Sequence, residues 1–318
     1  RYRTSKNGTL GVTGRYAARE SEMINAWSES ATLQDKQKDQ DINLSASYDH
    51  NFESGLRSMT RYYFSRFHSQ IAAQWLQQGI VASAEQFGQN VHRIEQQFAY
   101  SPAQQVKLTG GIGGSLELMD NQDLDAKRSL NSAFAYLQTE WKPIDRLLTT
   151  LGLRYDQTNV YNGHLSPSLG LQYHVSPTLL IKGGIGAGFK APDYKMRYQV
   201  FFNPAANYLV VGSERVADVI AAMDQAGELS YKNSYMLNLV AGNLKAETSI
   251  SNNLGLTWSP SNRFQADFSV FYHRINNEIN TVSVGNGTKV AQIYSYRNLP
   301  KAMNKGFEVS LTYQATKD

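Results

Sequence analysis

The stretch QVKLTGGIGGSLEL, residues 105–118, alternates with period two. Val106, Leu108, Gly110, Ile112, Gly114, Leu116 and Leu118 share one side, while Lys107, Thr109, Ser115 and Glu117 share the other. Successive side chains on a strand point to opposite faces, so the pattern predicts one long strand, apolar on one face only. Ordinary strands run about five or six residues. A strand of more than twice that length, with a single apolar face, needs a special solvent.

The same pattern recurs along the chain. RLLTTLGLRYD puts Leu147, Thr149, Leu151, Leu153 and Tyr155 on one face, and LSPSLGLQYHV does so with Leu165, Pro167, Leu169, Leu171, Tyr173 and Val175. LLIKGGIGAGF, RFQADFSVFYH and GFEVSLTYQ repeat it, and weaker cases lie around 10–17, 42–48, 58–67, 91–100, 132–141 and 250–258. This predicts an all-β chain of about a dozen strands. Short turns are expected at Asn51 to Gly55, Ser101-Pro102, Lys142-Pro143, Ser176-Pro177 and Ser259-Pro260, because proline presets φ and cannot serve a ladder. Long polar connections are expected at 18–41, 68–90, 119–131, 190–249 and 285–304. Short and long connections in alternation describe an up-and-down meander.

Tyr100, Trp141, Tyr173 and Trp258 each stand just before a short turn, on the apolar face. Tyr and Trp favour a membrane–water boundary, and a ring of them at one end of the strands is the girdle of a transmembrane antiparallel β-barrel. The apolar face then meets lipid and the polar face lines a lumen. By the usual asymmetry, the short turns are periplasmic and the long segments outward.

Composition narrows the alternatives. The 318 residues hold no cysteine, so disulfides and thiolate metal sites are excluded. A net charge of +4 with no dense basic run does not indicate nucleic acid. No run of about 18 apolar residues exists to form a transmembrane helix, and RYRTSKNGTL is not a signal segment. No nucleophile triad or carboxylate pair stands out, which points away from an enzyme. Gly183, Gly184, Gly186 and Gly188 lie within a strand, where they permit close approach or bending rather than a phosphate loop.

At GAGFKAPDYKMRYQ, residues 186–199, the sequence resembles TonB-dependent outer-membrane receptors. Phe189, Lys190, Ala191 and Pro192 are similar to that family's FRAP box. AGNLKAETSISNNLGLTWSP is similar to its NPDLKPE box through Asn243, Leu244, Lys245 and Glu247, with Ala246 in place of proline. FQADFSVFYHRINNEI and NKGFEVSLTY are similar to its I-x-N-x-I and G-x-E strands. The wording around the first box is most similar to receptors of Bacteroidetes.

The resemblance implies part of a larger, 22-stranded barrel, with a plug domain outside this chain. It implies import of a metal chelate, such as a ferric siderophore, haem or cobalamin, with no permanently bound cofactor. The implied partners are the plug, the TonB–ExbB–ExbD energy complex through that plug, and lipid or lipopolysaccharide. A glycan importer paired with a surface lipoprotein, and a non-transport adhesin or structural barrel, are the alternatives.

The loop 190–249 is then the candidate ligand region. Tyr194, Tyr198, Phe201, Phe202 and Tyr208 can stack on a flat chelate or pack the loop down. Lys190, Lys195 and Arg197 can attract an anionic chelate, meet lipopolysaccharide or pair within the lumen. A short helix is expected at about 214–226, capped by Ser213 and ended by Gly227, with Val216, Val219, Ile220 and Met223 on one face. His68, His92, His164 and His273 lie toward the outer strand ends and are weak candidates for haem iron.

Overall fold

In a computed structural model, residues 1–28, 31–76, 80–121, 128–203, 206–240 and 242–316 are described. Strands β1 (Tyr2–Arg3), β2 (Gly8–Ser28), β3 (Ala31–Asn51), β4 (Arg57–Trp75), β5 (Ile80–Ala103), β6 (Val106–Asn121), β7 (Arg128–Ile144), β8 (Leu147–Thr158), β9 (His164–Ser176) and β10 (Leu179–Lys190) follow in order. An excursion comes next, with α1 (Tyr194–Tyr198), β11 (Val200–Asn203), β12 (Tyr208–Val211), α2 (Val216–Gln225), β13 (Leu229–Lys232) and α3 (Ser234–Val240). The sheet resumes with β14 (Glu247–Ser261), β15 (Phe264–Gly287) and β16 (Gln292–Tyr313). β2 to β10 and then β14 to β16 form an unbroken antiparallel meander of neighbours.

The two faces separate as the alternation requires. Ile112 is 62% exposed and lies on the same face as Leu137, Leu153, Leu171, Leu254 and Val270, all of them exposed. Such a continuous apolar surface has no place in water, and lipid is the solvent that accepts it. Tyr100, Trp141, Tyr173 and Trp258 stand exposed on this face at the short-turn end. Tyr16, Tyr155 and Tyr272 mark its other boundary.

The prolines occupy a different place from the one expected. The tight turns fall beyond Pro102, Pro143 and Pro260, after Ala103, Ile144 and Ser261. Each of these prolines sits where the register skips, between Tyr100 and Ala103, Trp141 and Ile144, and Trp258 and Ser261. A residue without an N–H fits an irregularity in the ladder, and pairing resumes past it.

The expected outer loops also need correction. Segments 18–41 and 68–90 are mainly strand, paired through Arg19↔Asp39 and His68↔Gly88 among others. Most of 285–304 is strand as well. Their polar residues mislead because a ladder extending above the membrane is wetted on the outside and loses the apolar alternation. Residues 122–127 lie outside the described residues.

The glycines of the opening stretch have a steric reason. A Cβ on Gly113 would sit 2.5 Å from the Phe134 ring, and one on Gly111 would sit 2.7 Å from the Tyr136 ring. Both rings come from the directly paired residues of β7 and lie over the bare backbone of β6 on the polar face. Arg93 and Arg154 stack on the Phe134 ring at 4.9 and 4.2 Å, leaving it buried.

Candidate functional site

The excursion after β10 splits between the two sides of the β15–β16 hairpin where that hairpin rises above the membrane. On the outward side, Val216 and Ile220 of α2 and Val240 of α3 bury against Val211, Val284 and Ile293. Val219 and Met223 pack on the same cluster, so the expected apolar face of the helix does anchor the loop. The helix starts later than expected, at Val216 with Arg215 as its cap residue, and Ser213 makes no capping bond. Instead Ser213 is buried and its N–H donates to the Met196 carbonyl. Gly227, at φ +69°, ends the helix as a left-handed residue should.

On the inward side, α1 lies against the inner wall. Asp193 caps it by accepting from the Met196 N–H at 2.9 Å. Tyr194 and Tyr198, 5% and 8% exposed, pack on Met119 and Phe87. The Arg128 guanidinium lies 5.3 Å from the Tyr198 ring centre. Phe87, Met119 and Arg128 all belong to the lumen-facing rows of β5, β6 and β7. A segment leaving β10 thus crosses the concave side and seats on strands four and five places away.

Arg197 is held in place. Its Nε donates to Glu214 Oε1 at 2.6 Å, and its guanidinium lies over Tyr198 at 4.6 Å and Tyr161 at 5.9 Å. Burial pushes the Tyr194 and Tyr198 phenols up to about 12, and it raises Tyr161 and Tyr296 as well. All four hydroxyls are therefore protonated at neutral pH. With these protons on, the tyrosines present phenol groups, neutral at physiological pH, beside the arginines.

β12 pairs in parallel with the top of β16, and β11 pairs with β12. The register Phe201↔Val210↔Tyr294 puts these three on one face with Tyr208. Tyr208 meets Tyr294 edge-on at 5.8 Å. The opposite face, with Phe202, Leu209 and Val211, turns toward the outward cluster. Tyr296 continues the Tyr294 row and lies close enough to Asp193 for that carboxylate to act on it.

Among the predicted residues, then, Phe201 and Tyr208 share the inward aromatic face, and Lys195 is exposed. Tyr194 and Tyr198 are taken up by packing. Tyr161, Tyr294, Tyr296 and Arg128 join them without having been singled out in the sequence. The alternation of Tyr294 and Tyr296 in QIYSYR was the available signal.

The two motif boxes meet as neighbours. Lys190 pairs with Glu247 across β10 and β14, with Nζ 3.3 Å from Oε2. Lys245 donates its N–H to Asn298 Oδ1 at 2.8 Å, and Asn298 Nδ2 donates back to the Lys245 carbonyl and to the Asn277 carbonyl. Asn277 takes φ +55°, a conformation that asparagine tolerates better than most residues. Leu244 is buried beside this clamp, and Pro192 of the first box is buried near Tyr194 and Met119.

The histidines scatter. His68 and His92 lie on the outward rows of β4 and β5, and His92 Nδ1 is 2.8 Å from the Tyr62 hydroxyl. His164 stacks on Phe189 at 4.9 Å, and His273 lies beside Phe271. Among the described residues, no group of three or more His, Cys, Asp or Glu side chains could hold a metal ion.

A family model described as TonB dependent receptor-like, beta-barrel, matches residues 1–316. The chain belongs to the TonB-dependent receptor family. Two curated relatives are the ferrienterobactin receptor of Escherichia coli, 28% identical over 210 residues, and the ferric enterobactin receptor of Pseudomonas aeruginosa, 27% identical over 209 residues. These alignments cover 64% and 63% of this chain and 25% of each relative, so the matched stretch spans a quarter of their length. Among solved structures, the siderophore receptor PirA of Pseudomonas aeruginosa superposes with TM-score 0.65 at 15% identity, over 99% of this chain and 59% of that one. The outer membrane transporter YddB of Escherichia coli gives 0.64 at 11% identity, over 97% and 43%. The fold is thus that of outer-membrane receptor barrels, and the receptor family gives no reason to look for enzyme chemistry here.

Proposed function

We propose that this chain is barrel wall and outer loop of a TonB-dependent importer of a ferric siderophore. The observation that carries the reading is the aromatic and arginine lining of the outer mouth. Tyr161, Phe201, Tyr208, Tyr294 and Tyr296 supply flat surfaces, exposed Arg128 supplies positive charge, and Arg197, paired with Glu214, holds the Tyr161 and Tyr198 rings in place. An anionic chelate with aromatic iron-binding arms fits both properties. The names of the relatives support the same ligand class over haem or cobalamin.

In this reading the ligand docks on the inward face of β11, β12 and β16, with Lys195 at the rim. The plug closes the lumen below it, and the TonB–ExbB–ExbD complex pulls on that plug to open the way. The energy must come from elsewhere because the outer membrane holds no nucleotide supply and a plugged lumen stops diffusion of a large chelate.

The test is growth rescue and uptake by the full-length receptor in a host lacking its own siderophore receptors. Ferric enterobactin, haemin and cyanocobalamin are supplied side by side. Uptake of the ferric siderophore that needs TonB is expected. Rescue by haemin or cyanocobalamin alone would overturn the ligand assignment.

A further inference from the structure

The seat of α1 on the inner wall is held by rings and opposed by charge. Tyr194 and Tyr198 pack on Met119 and Phe87, and the Tyr194 hydroxyl is buried there without a protein partner. Next to Met119 in the lumen-facing row of β6 stands Glu117. Its side chain is half-buried and accepts from Gln89 Nε2 at 2.7 Å. Asp193, the cap of α1, lies close enough for its charge to act on Glu117. A cavity of about 20 Å³, room for one water, opens between Glu117, Arg128, Tyr194 and Tyr198.

Among the described residues no cation pairs with this carboxyl. Leu130 stands directly opposite it on β7, and Arg128, on the diagonal, is turned onto the Tyr198 ring. Arg93 of β5 pairs with Glu95, and Arg197 of α1 pairs with Glu214. Arg215 and Asp120 act on Tyr194 instead. Glu117 lies five residues beyond Ile112, which shares a ladder row with Tyr155 at the outer boundary of the apolar belt, so it stands above the membrane. There burial, with the charge of Asp193, raises its carboxyl above the usual glutamate range, and the Gln89 bond offsets this only in part.

We infer that α1 is a pH-sensitive strap, seated on β5 to β7 while Glu117 is protonated and lifted off the wall when Glu117 ionises against Asp193. A value raised in the seated state means support that is complete below the ordinary glutamate range, about 4.3. That support is lost as pH rises through the seated value. Only the strap responds, because α2 and α3 are anchored on the outward cluster and β12 is paired with β16. Release uncovers Met119 and Phe87 and frees the Tyr194 and Tyr198 rings for the mouth. The inference rests on the seat and is independent of the siderophore reading.

The experiment is amide hydrogen exchange of the full-length receptor in detergent, without ligand, read over residues 191–199. Wild type and Glu117→Gln are compared at about pH 4.5 and again at about pH 7.5, so that the intrinsic effect of pH on exchange cancels. At the higher pH wild type should exchange roughly fivefold or more faster than the variant, and at the lower pH the two should match. Asp193→Ser keeps a capping side chain and removes the second charge, so it should be slowed in the same way. Residues 216–240 should exchange alike in all three proteins. Resistance to unfolding on unheated gels checks that each barrel is intact, and if Glu117→Gln does not insert, Asp193→Ser decides by the same comparison. Equal exchange at the higher pH would overturn the inference. A difference equally large at both pH values would overturn it too, since it would make the effect one of packing.

Discussion

Lys190 and Glu247 face each other at the outer ends of β10 and β14, one from each motif box, with Nζ 3.3 Å from Oε2. The partners are unequal. The Lys190 side chain is largely exposed, while that of Glu247 is mostly buried and also accepts from the Ile279 N–H at 2.6 Å. The carboxylate therefore ties three strands, β10, β14 and β15, at the point where the long excursion leaves the sheet and returns.

That inequality predicts unequal costs. Glu247→Gln should destabilise the folded barrel by about 1–2 kcal/mol, because a charge-assisted bond to a buried N–H is weakened. Lys190→Gln should cost less than about 0.5 kcal/mol, as exposed ion pairs do. Thermal unfolding of both variants in the same detergent decides the matter, and equal losses would contradict the account.

Gly113 gives a second, steric prediction. Gly113→Ala puts a methyl group into the Phe134 ring and against the Ile94 carbonyl. The ring must leave its place between Arg93 and Arg154, at a cost of about 1–3 kcal/mol. Gly55→Ala meets no neighbour but takes a φ of +81°, so it should cost only about 1 kcal/mol through backbone strain. Denaturant titrations that fail to rank the pair in this order would be evidence against ring packing as the reason for Gly113.

The loop anchor can be tested by loosening it. Ile220→Ala should cost the outward cluster about 2–4 kcal/mol. The barrel should remain inserted while residues 191–246 become sensitive to added protease. This variant is cleaner than deleting 195–240, which would strip the cover from Val284 and Ile293. A loop as resistant as wild type would rule out the cluster as its main attachment.

For the mouth, Tyr294→Ala combined with Tyr296→Ala should weaken ferric siderophore binding by roughly tenfold, since stacking surfaces dominate such sites. Barrel stability should change little. Phe202→Ala, on the opposite face of β11, should affect loop stability more than affinity. Unaltered affinity in the double tyrosine variant would remove the inward face from the proposed site.

Asp39, above the membrane on β3, gives a pH dependence. Burial alone would raise its carboxyl, but hydrogen bonds from Gln37, Ser69 and Arg19, with the charge of Arg19, outweigh that and hold it below the usual range. A depressed folded-state value means stability that is present above the ordinary aspartate range, about 3.9. That stability is lost as pH falls through the folded value. Amide exchange in the upper halves of β2 to β4 should therefore speed up below about pH 4, and Asp39→Asn should abolish the change. An unchanged profile in Asp39→Asn would assign the effect to other groups.

The alternation in residues 105–118 and its repeats was sufficient by itself for the strand count, the two-faced wall and the girdle, because period two is a local consequence of strand geometry. The motif boxes were legible for the same reason, as contiguous residues. The sequence could not say where the outer strands end. Above the membrane both faces of a ladder are polar, so register rather than hydropathy holds Arg19 against Asp39. Nor could it divide the aromatic residues of the loop. Tyr194 and Phe201 read alike along the chain, yet one is buried on Met119 and Phe87 while the other joins Tyr208 and Tyr294. Only the curvature of the sheet, which brings β5 and β6 under a helix that follows β10, separates packing from exposure there.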